Sequence, residues 1–132
     1  MKFRLIGILA LILFAAQSHS AFAQQQEKEM DIFEHIENEA DRLQRVLELE
    51  DWQVFYVDST LKHDYTAMQA EIVELSEAKV SNRDMYIRVQ DKWMEQIDAT
   101  YQRIFSPEQW KAYLKQGGAR AQKARAKRKV EN

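Results

Sequence analysis

The sequence contains no cysteine, one proline and only three glycines among its 132 residues. Without cysteine there is no disulfide bond and no lipid-modified cysteine, so the fold depends on packing alone. Glycine and proline supply most tight turns, and their scarcity removes nearly all β-turn and hairpin signals. We therefore expect an all-α protein.

Catalytic and metal-binding patterns are equally scarce. After residue 23 there are two histidines, His35 and His63, and no Ser-His-Asp arrangement, phosphate-binding glycine loop or metalloprotease signature occurs. His35 precedes Glu39 by four residues and His63 adjoins Asp64, but zinc sites usually need three or four ligands, mostly His and Cys. We therefore expect no catalytic residue, no cofactor, no metal site and no enzyme activity. Metal binding through His35 or His63 is kept as an alternative.

The N-terminus has the three parts of a signal peptide. Lys2 and Arg4 are positive, residues 5–16 are apolar, and Ala21 and Ala23 place small residues where signal peptidase cleaves. The apolar run has twelve residues, whereas a membrane-spanning helix needs about twenty. We expect residues 1–23 to be removed after Ala23 and the exported chain not to span a membrane; an uncleaved signal anchor is the alternative.

The remainder divides by charge into two parts. Residues 24–118 contain twenty acidic and eleven basic residues, whereas residues 119–132 contain six basic and one acidic residue. We expect an acidic helical domain over 24–118 and a basic C-terminal tail over 119–132. Because the protein is expected to be exported, nucleic acid is not an expected partner of the tail. Anionic lipid head groups, lipopolysaccharide or acidic client proteins are the anionic partners open to residues 119–132. A merely solvated tail, frayed or disordered, is the alternative.

Apolar residues spaced three and four apart predict four helices. Their expected ranges are 28–49, 51–79, 82–105 and a short helix that begins at Pro107 and stops at Gly117. On the second helix the expected buried face begins at Val54 and Leu61. That helix would be about 43 Å long, too long for a compact domain of this size. We therefore expect an elongated antiparallel hairpin of the second and third helices, flanked by shorter helices and completed by a homodimer.

Residues 52–113 contain ten aromatic side chains. Most are expected in the core or in a dimer interface, yet a thin hairpin cannot bury all of them. Exposed apolar side chains in a cluster usually mark a binding site. The candidates for such a surface are Trp52, Phe55, Trp93, Trp110 and Tyr113.

The turn before the fourth helix carries a complete helix-start signal. It reads Phe-Ser-Pro-Glu-Gln from Phe105 to Gln109. Ser106 fits an N-cap, Pro107 fits the first helical position, and Gln109 can return a hydrogen bond to the cap in a capping box.

A weaker copy of this motif precedes the second helix. It reads Leu-Glu-Asp-Trp-Gln over residues 49–53, so that Leu49 and Gln53 are kept while Glu50, a poor N-cap, stands at the capping position. The pair resembles the LTxxQ motif, often Leu-Thr-Pro-Glu-Gln, of the periplasmic Spy/CpxP-like chaperone and envelope stress proteins, which usually carry it twice.

The resemblance implies a periplasmic protein that forms an antiparallel dimer shaped like a shallow cradle. Its concave face would bind unfolding envelope proteins without ATP, and Ser106 and Gln109 would be structural. We therefore predict an ATP-independent chaperone or envelope stress adaptor whose partners are unfolded or partner envelope proteins. A dedicated interaction or sensor-regulating subunit is the alternative, and a metal-binding envelope protein is the third hypothesis.

Overall fold

The computed structural model describes residues 31–131, and no β-strand occurs within that range. The expected all-α fold is therefore confirmed. The predicted signal peptide and its cleavage after Ala23 lie outside the described residues. A boundary between units of the chain falls at His35 and Ile36, and the second unit holds the rest of α1 and every later element. The elements are α1, described over 31–47, α2 (Asp51–Glu77), α3 (Arg83–Ile104), α4 (Pro107–Tyr113), a kinked connection (Leu114–Gly118) and α5 (Ala119–Glu131).

The two longest helices, α2 and α3, pack together as the predicted hairpin. At 27 residues, α2 is about 40 Å long. A cluster of polar contacts joins the two helices in the half of the hairpin nearer its closed end. Lys92 Nζ lies 2.6 and 2.7 Å from the two carboxylate oxygens of Glu71, and Trp93 Nε1 donates to the same carboxylate at 3.1 Å.

The centre of the second unit contains five fully buried aliphatic side chains contributed by α1, α2 and α3. The face that α2 buries differs at its start from the expected one: Gln53 and Val57 are buried, while Val54 is only partly so. A polar residue can replace an apolar one there because the side chain of Gln53 is fully hydrogen-bonded. The five aliphatic side chains are Ile36, Leu43, Val57, Leu61 and Ile97.

Two helices end at residues with left-handed backbone conformation that are not glycine. Glu48 has φ 53° and Lys79 has φ 56°. These residues end α1 and α2 two residues earlier than expected, because a left-handed residue cannot continue a right-handed helix. At the second of these ends, the Val80 N–H donates to the Leu75 carbonyl at 3.0 Å, closing the last turn.

We expect Lys79→Gly to stabilise the protein by about 0.5–1 kcal/mol. The left-handed conformation costs an L-residue about 1–2 kcal/mol, of which the greater freedom of unfolded glycine cancels part. Chemical denaturation measures the difference. The matched control is Ala78→Gly, at φ −74°, which should destabilise. An equal effect of both substitutions would contradict the explanation.

The fourth helix stops at the glycine pair, as expected, because the backbone is non-helical at Gln116 and Gly117. Gly117 has φ 111° and turns the chain, after which α5 starts at once. Gly118 is buried, and a Cβ atom there would lie 2.9 Å from the carbonyl oxygen of Tyr113 and 3.0 Å from its ring. The pair therefore makes a tight corner, in which the second glycine allows α5 to approach α4.

The basic tail, whose order the sequence left open, is helix α5 over 119–131, and it contacts α3 through ion pairs. The central one joins Arg125 and Asp98, whose side chains are 7% and 10% exposed. Asp98 also accepts hydrogen bonds from the Tyr113 hydroxyl at 2.5 Å and from Gln122 Nε2 at 3.2 Å. One carboxylate on α3 therefore connects α4 and α5.

Two further ion pairs, both more exposed than Arg125–Asp98, extend the interface between α5 and α3 toward the start of α3. Arg128 binds the Asp91 carboxylate through two hydrogen bonds of 2.8 and 2.7 Å. Lys129 Nζ lies 2.7 Å from a Glu95 oxygen. Each exposed pair contributes little by itself, so the docking of α5 depends mainly on Asp98.

We expect Asp98→Ala to release α5 from α3, because it leaves the buried Arg125 charge without a partner. Removing one member of a buried pair typically costs about 3–5 kcal/mol. Hydrogen exchange over residues 119–131 should show lost protection. Glu95→Ala, which breaks an exposed pair, is the control and should change stability by less than about 1 kcal/mol. Unchanged protection in Asp98→Ala would contradict this account.

Candidate functional site

The starts of α2 and α4 meet, and two glutamine side chains join them. Gln53 Nε2 donates to Gln109 Oε1 at 2.6 Å, and Gln109 Nε2 donates to Gln53 Oε1 at 3.1 Å. Each Oε1 also accepts the backbone N–H at the N-cap of its own helix, Glu50 for Gln53 and Ser106 for Gln109, both at 2.9 Å. We call this arrangement the glutamine pair.

The remaining bonds of the glutamine pair follow the same approximate twofold pattern. Gln53 Nε2 donates to the carbonyl oxygen of Ile104 at 2.9 Å, two residues before the N-cap of α4. Gln109 Nε2 donates to the carbonyl oxygen of Glu48 at 3.3 Å, two residues before the N-cap of α2. Each glutamine therefore caps the start of its own helix. It also binds a backbone carbonyl in the segment that precedes the other glutamine's helix.

The other motif residues support these two helix starts. Ser106 Oγ accepts the Gln109 N–H at 3.1 Å, and Pro107 is the first helical residue. Leu49 and Phe105 are buried at the first position of each motif. The sequence singled out all of these residues as structural, and the structure places Gln53, the retained end of the degraded copy, directly against the second motif.

We expect Gln53→Ala to destabilise the protein by about 2–3 kcal/mol, because it leaves several polar groups of the glutamine pair unsatisfied. Gln109→Ala should act similarly, and the double variant should cost less than the sum, with a coupling of about 0.5–3 kcal/mol. Denaturant unfolding of the four proteins in the cycle measures this coupling. Gln90→Ala, on the exposed side of α3, is the control and should be nearly neutral. Additive effects would show that the two glutamines act separately.

Next to the glutamine pair, the first turns of α2 carry three exposed aromatic side chains, which we call the aromatic patch. Trp52 is 49%, Phe55 66% and Tyr56 51% exposed. The Tyr56 ring contacts both others edge to face, with centroids 6.1 Å from Trp52 and 5.8 Å from Phe55. Tyr56 was not among the binding residues predicted from the sequence, although its position four residues after Trp52 on a helix indicates that the two side chains are in contact.

Two other candidate residues, Trp110 and Tyr113, lie in a separate aromatic cluster at the α3–α4 corner. Their rings stack at 5.4 Å, and Tyr113 contacts Tyr101 and Phe105 edge to face. Burial raises the pKa of Tyr101 and of Tyr113, and the hydrogen bond from Tyr113 to Asp98 raises its pKa further. These hydroxyls therefore stay protonated at neutral pH and serve the packing of the corner.

The fifth candidate, Trp93, lies on α3 within the hairpin. Lys92 Nζ is 5.1 Å from its ring centroid, and the His63 ring meets it edge to face at 6.4 Å. The five aromatic residues proposed as one surface therefore occupy three places, and only Trp52 and Phe55 belong to the aromatic patch. His63 Nδ1 lies 2.7 Å from Asp64 Oδ1, and residues 31–131 hold no group of three or more His, Cys, Asp or Glu side chains placed to bind a metal ion.

A groove of about 790 Å³ lies between α3 and the end of α5. Its walls carry both signs of charge, among them Asp91, Glu95, Arg128 and Lys129. These four residues form the ion pairs described above, so their charges are largely neutralised and the groove selects neither an anion nor a cation.

A scan against protein-family models, a search of curated proteins and a search of solved structures each found no match to this chain. Within residues 31–131, no helix combines the length and the apolar character that a bilayer span requires. Function is therefore inferred from the exposed chemistry of the chain itself, above all from the aromatic patch.

Proposed function

We propose that the protein is an exported, ATP-independent chaperone or envelope stress adaptor that binds unfolded or partner proteins through the aromatic patch. The observation that carries the proposal is the exposure of Trp52, Phe55 and Tyr56 side by side on one helix. Contiguous exposed apolar surface of this kind marks interaction sites. The resemblance of the two capping motifs to the LTxxQ family supports the same function and a periplasmic location.

The patch suits weak binding to many sequences. Fully burying one large apolar side chain contributes about 1.5–3 kcal/mol, and these three are already about half buried, so each adds roughly 1–1.5 kcal/mol. Because association itself costs several kcal/mol, one patch alone binds only weakly. A homodimer, which belongs to this proposal, would present two patches and raise the effective affinity through bivalence.

The charges around the patch set which clients it prefers. Glu50 and Asp51 are exposed beside it, and Glu50 Oε2 accepts a hydrogen bond from Trp52 Nε1 at 2.5 Å. An acidic rim attracts basic segments and repels acidic ones. The preferred client segment therefore combines apolar and basic residues.

The glutamine pair keeps the patch in place. Gln53 is buried and lies between Trp52 and Phe55 in the sequence. Its hydrogen bonds therefore fix the helical turn from which both rings project. A preorganised surface loses less conformational entropy when it binds. The structural motif and the proposed binding surface thus share the same turns of α2, with Gln53 buried and the three aromatic side chains exposed.

We expect the wild-type protein to suppress light scattering from a reduced, unfolding model protein without nucleotide, at near-stoichiometric ratios. Replacing Trp52, Phe55 and Tyr56 together with serine should abolish this suppression, since the three side chains supply the apolar contact. The control replaces three exposed apolar residues elsewhere, Val73, Met85 and Val130, and should retain activity. Circular dichroism verifies that both variants are folded.

Equal suppression by the aromatic variant would contradict a role for the patch. Failure of the folded wild-type protein to suppress aggregation at any ratio would contradict a general chaperone. The small size of the patch, three side chains on one helix, would then favour the alternative, a dedicated interaction or sensor-regulating subunit. Pull-down experiments with the aromatic variant as negative control would identify its single partner.

A further inference from the structure

The six cations of α5 are divided between two sides of the helix. Arg125, Arg128 and Lys129 face α3 and pair with its carboxylates. Half of the positive charge of this helix is therefore neutralised by ion pairs within the protein, one of them buried and two exposed. The other half consists of Arg120, Lys123 and Lys127.

These three remaining cations form one exposed row, which we call the outer basic face. Arg120, Lys123 and Lys127 are spaced three and four residues apart, which places them on one side of a helix, and all three are exposed. No carboxylate within residues 31–131 forms an ion pair with them. Their charge is therefore available to an external anion.

The surroundings of the outer basic face are small and flat. The exposed residues between the cations are alanines, at positions 121, 124 and 126, and none is aromatic. Beyond Lys127, the side chain of Val130 is 87% exposed. The face therefore offers three cations, the carboxylate of Glu131 at its end and one apolar side chain, without rings that could stack on nucleic-acid bases.

We propose that the outer basic face of α5 docks the protein on an anionic phospholipid bilayer surface. A fluid layer of anionic head groups needs no shape complementarity, which fits a row of cations among alanines. The exposed Val130 can insert at the head-group boundary, as apolar residues of interfacial helices do. A protein partner would require more apolar contact than this face provides.

The charge of the rest of the chain orients this contact. Residues 24–118 hold twenty acidic and eleven basic residues, so an anionic membrane repels them. Attraction is thereby limited to α5. The inference stands independently of the chaperone proposal.

The test is cosedimentation of the purified protein with phosphatidylcholine vesicles that do or do not contain phosphatidylglycerol. We expect binding to the anionic vesicles that decreases with rising salt. Each cation contributes about fivefold to the partition coefficient, so replacing Arg120, Lys123 and Lys127 with glutamine should lower it by about one hundredfold. Vesicles of phosphatidylcholine alone measure any binding that the apolar residues 5–16 contribute.

The matched control removes the same number of exposed cations elsewhere, at Arg45, Arg83 and Lys111. It should bind the anionic vesicles as well as wild type does. Equal losses in the two variants would show an effect of net charge and overturn the proposal, as would unchanged binding of the α5 variant. Displacement from the vesicles by low concentrations of duplex DNA would overturn it in favour of a nucleic-acid partner.

Discussion

The reciprocal hydrogen bonds between Gln53 and Gln109 are the constraint on which the other features depend. Between them, the two side chains satisfy two N-cap N–H groups and two turn carbonyls, and they satisfy each other. Backbone groups at helix ends have no intrahelical partner, and leaving them unpaired in a partly buried junction is costly. By fixing where α2 and α4 begin, the pair determines where Trp52 and Phe55 emerge and in which direction the chain leaves toward α5.

Local signals in the sequence predicted local structure well. The Ser106–Pro107–Gln109 start of α4 and the hairpin of α2 and α3 are confirmed, because capping and apolar periodicity act over a few residues. The helix ends at Glu48 and Lys79 were not predicted, since glycine is the residue expected in that conformation. The stop of the fourth helix at Gly117 is also confirmed, whereas the order of α5 beyond it was left open, because the sequence does not show that α5 can pack against α3.

Long-range polar contacts account for what the sequence could not show. Gln53 and Gln109 are 56 residues apart, and the bond between two amides leaves no trace in hydrophobic periodicity. The same holds for Asp98 and Arg125, whose burial departs from the rule that charged residues are exposed. Their ion pair joins the acidic domain to the basic tail, so that the opposite charges of the two parts of the chain attract each other within one molecule. The five candidate aromatic residues scattered over three places because the sequence indicates which residues are apolar, but not which neighbours cover them.

The kinked connection at Leu114–Gly118 has a consequence for how this protein can vary. It sets the rotational phase of α5 relative to α3, and successive helical residues differ by about 100° around the axis. Insertion or deletion of a single residue in this turn would rotate α5 by that angle and exchange cations between its inner and outer sides. Arg125 would leave Asp98, while a residue now in solvent would enter the interface. A point substitution along α5 changes one charge at a time, whereas a change of length at the corner changes the neighbours of all six cations of α5 at once.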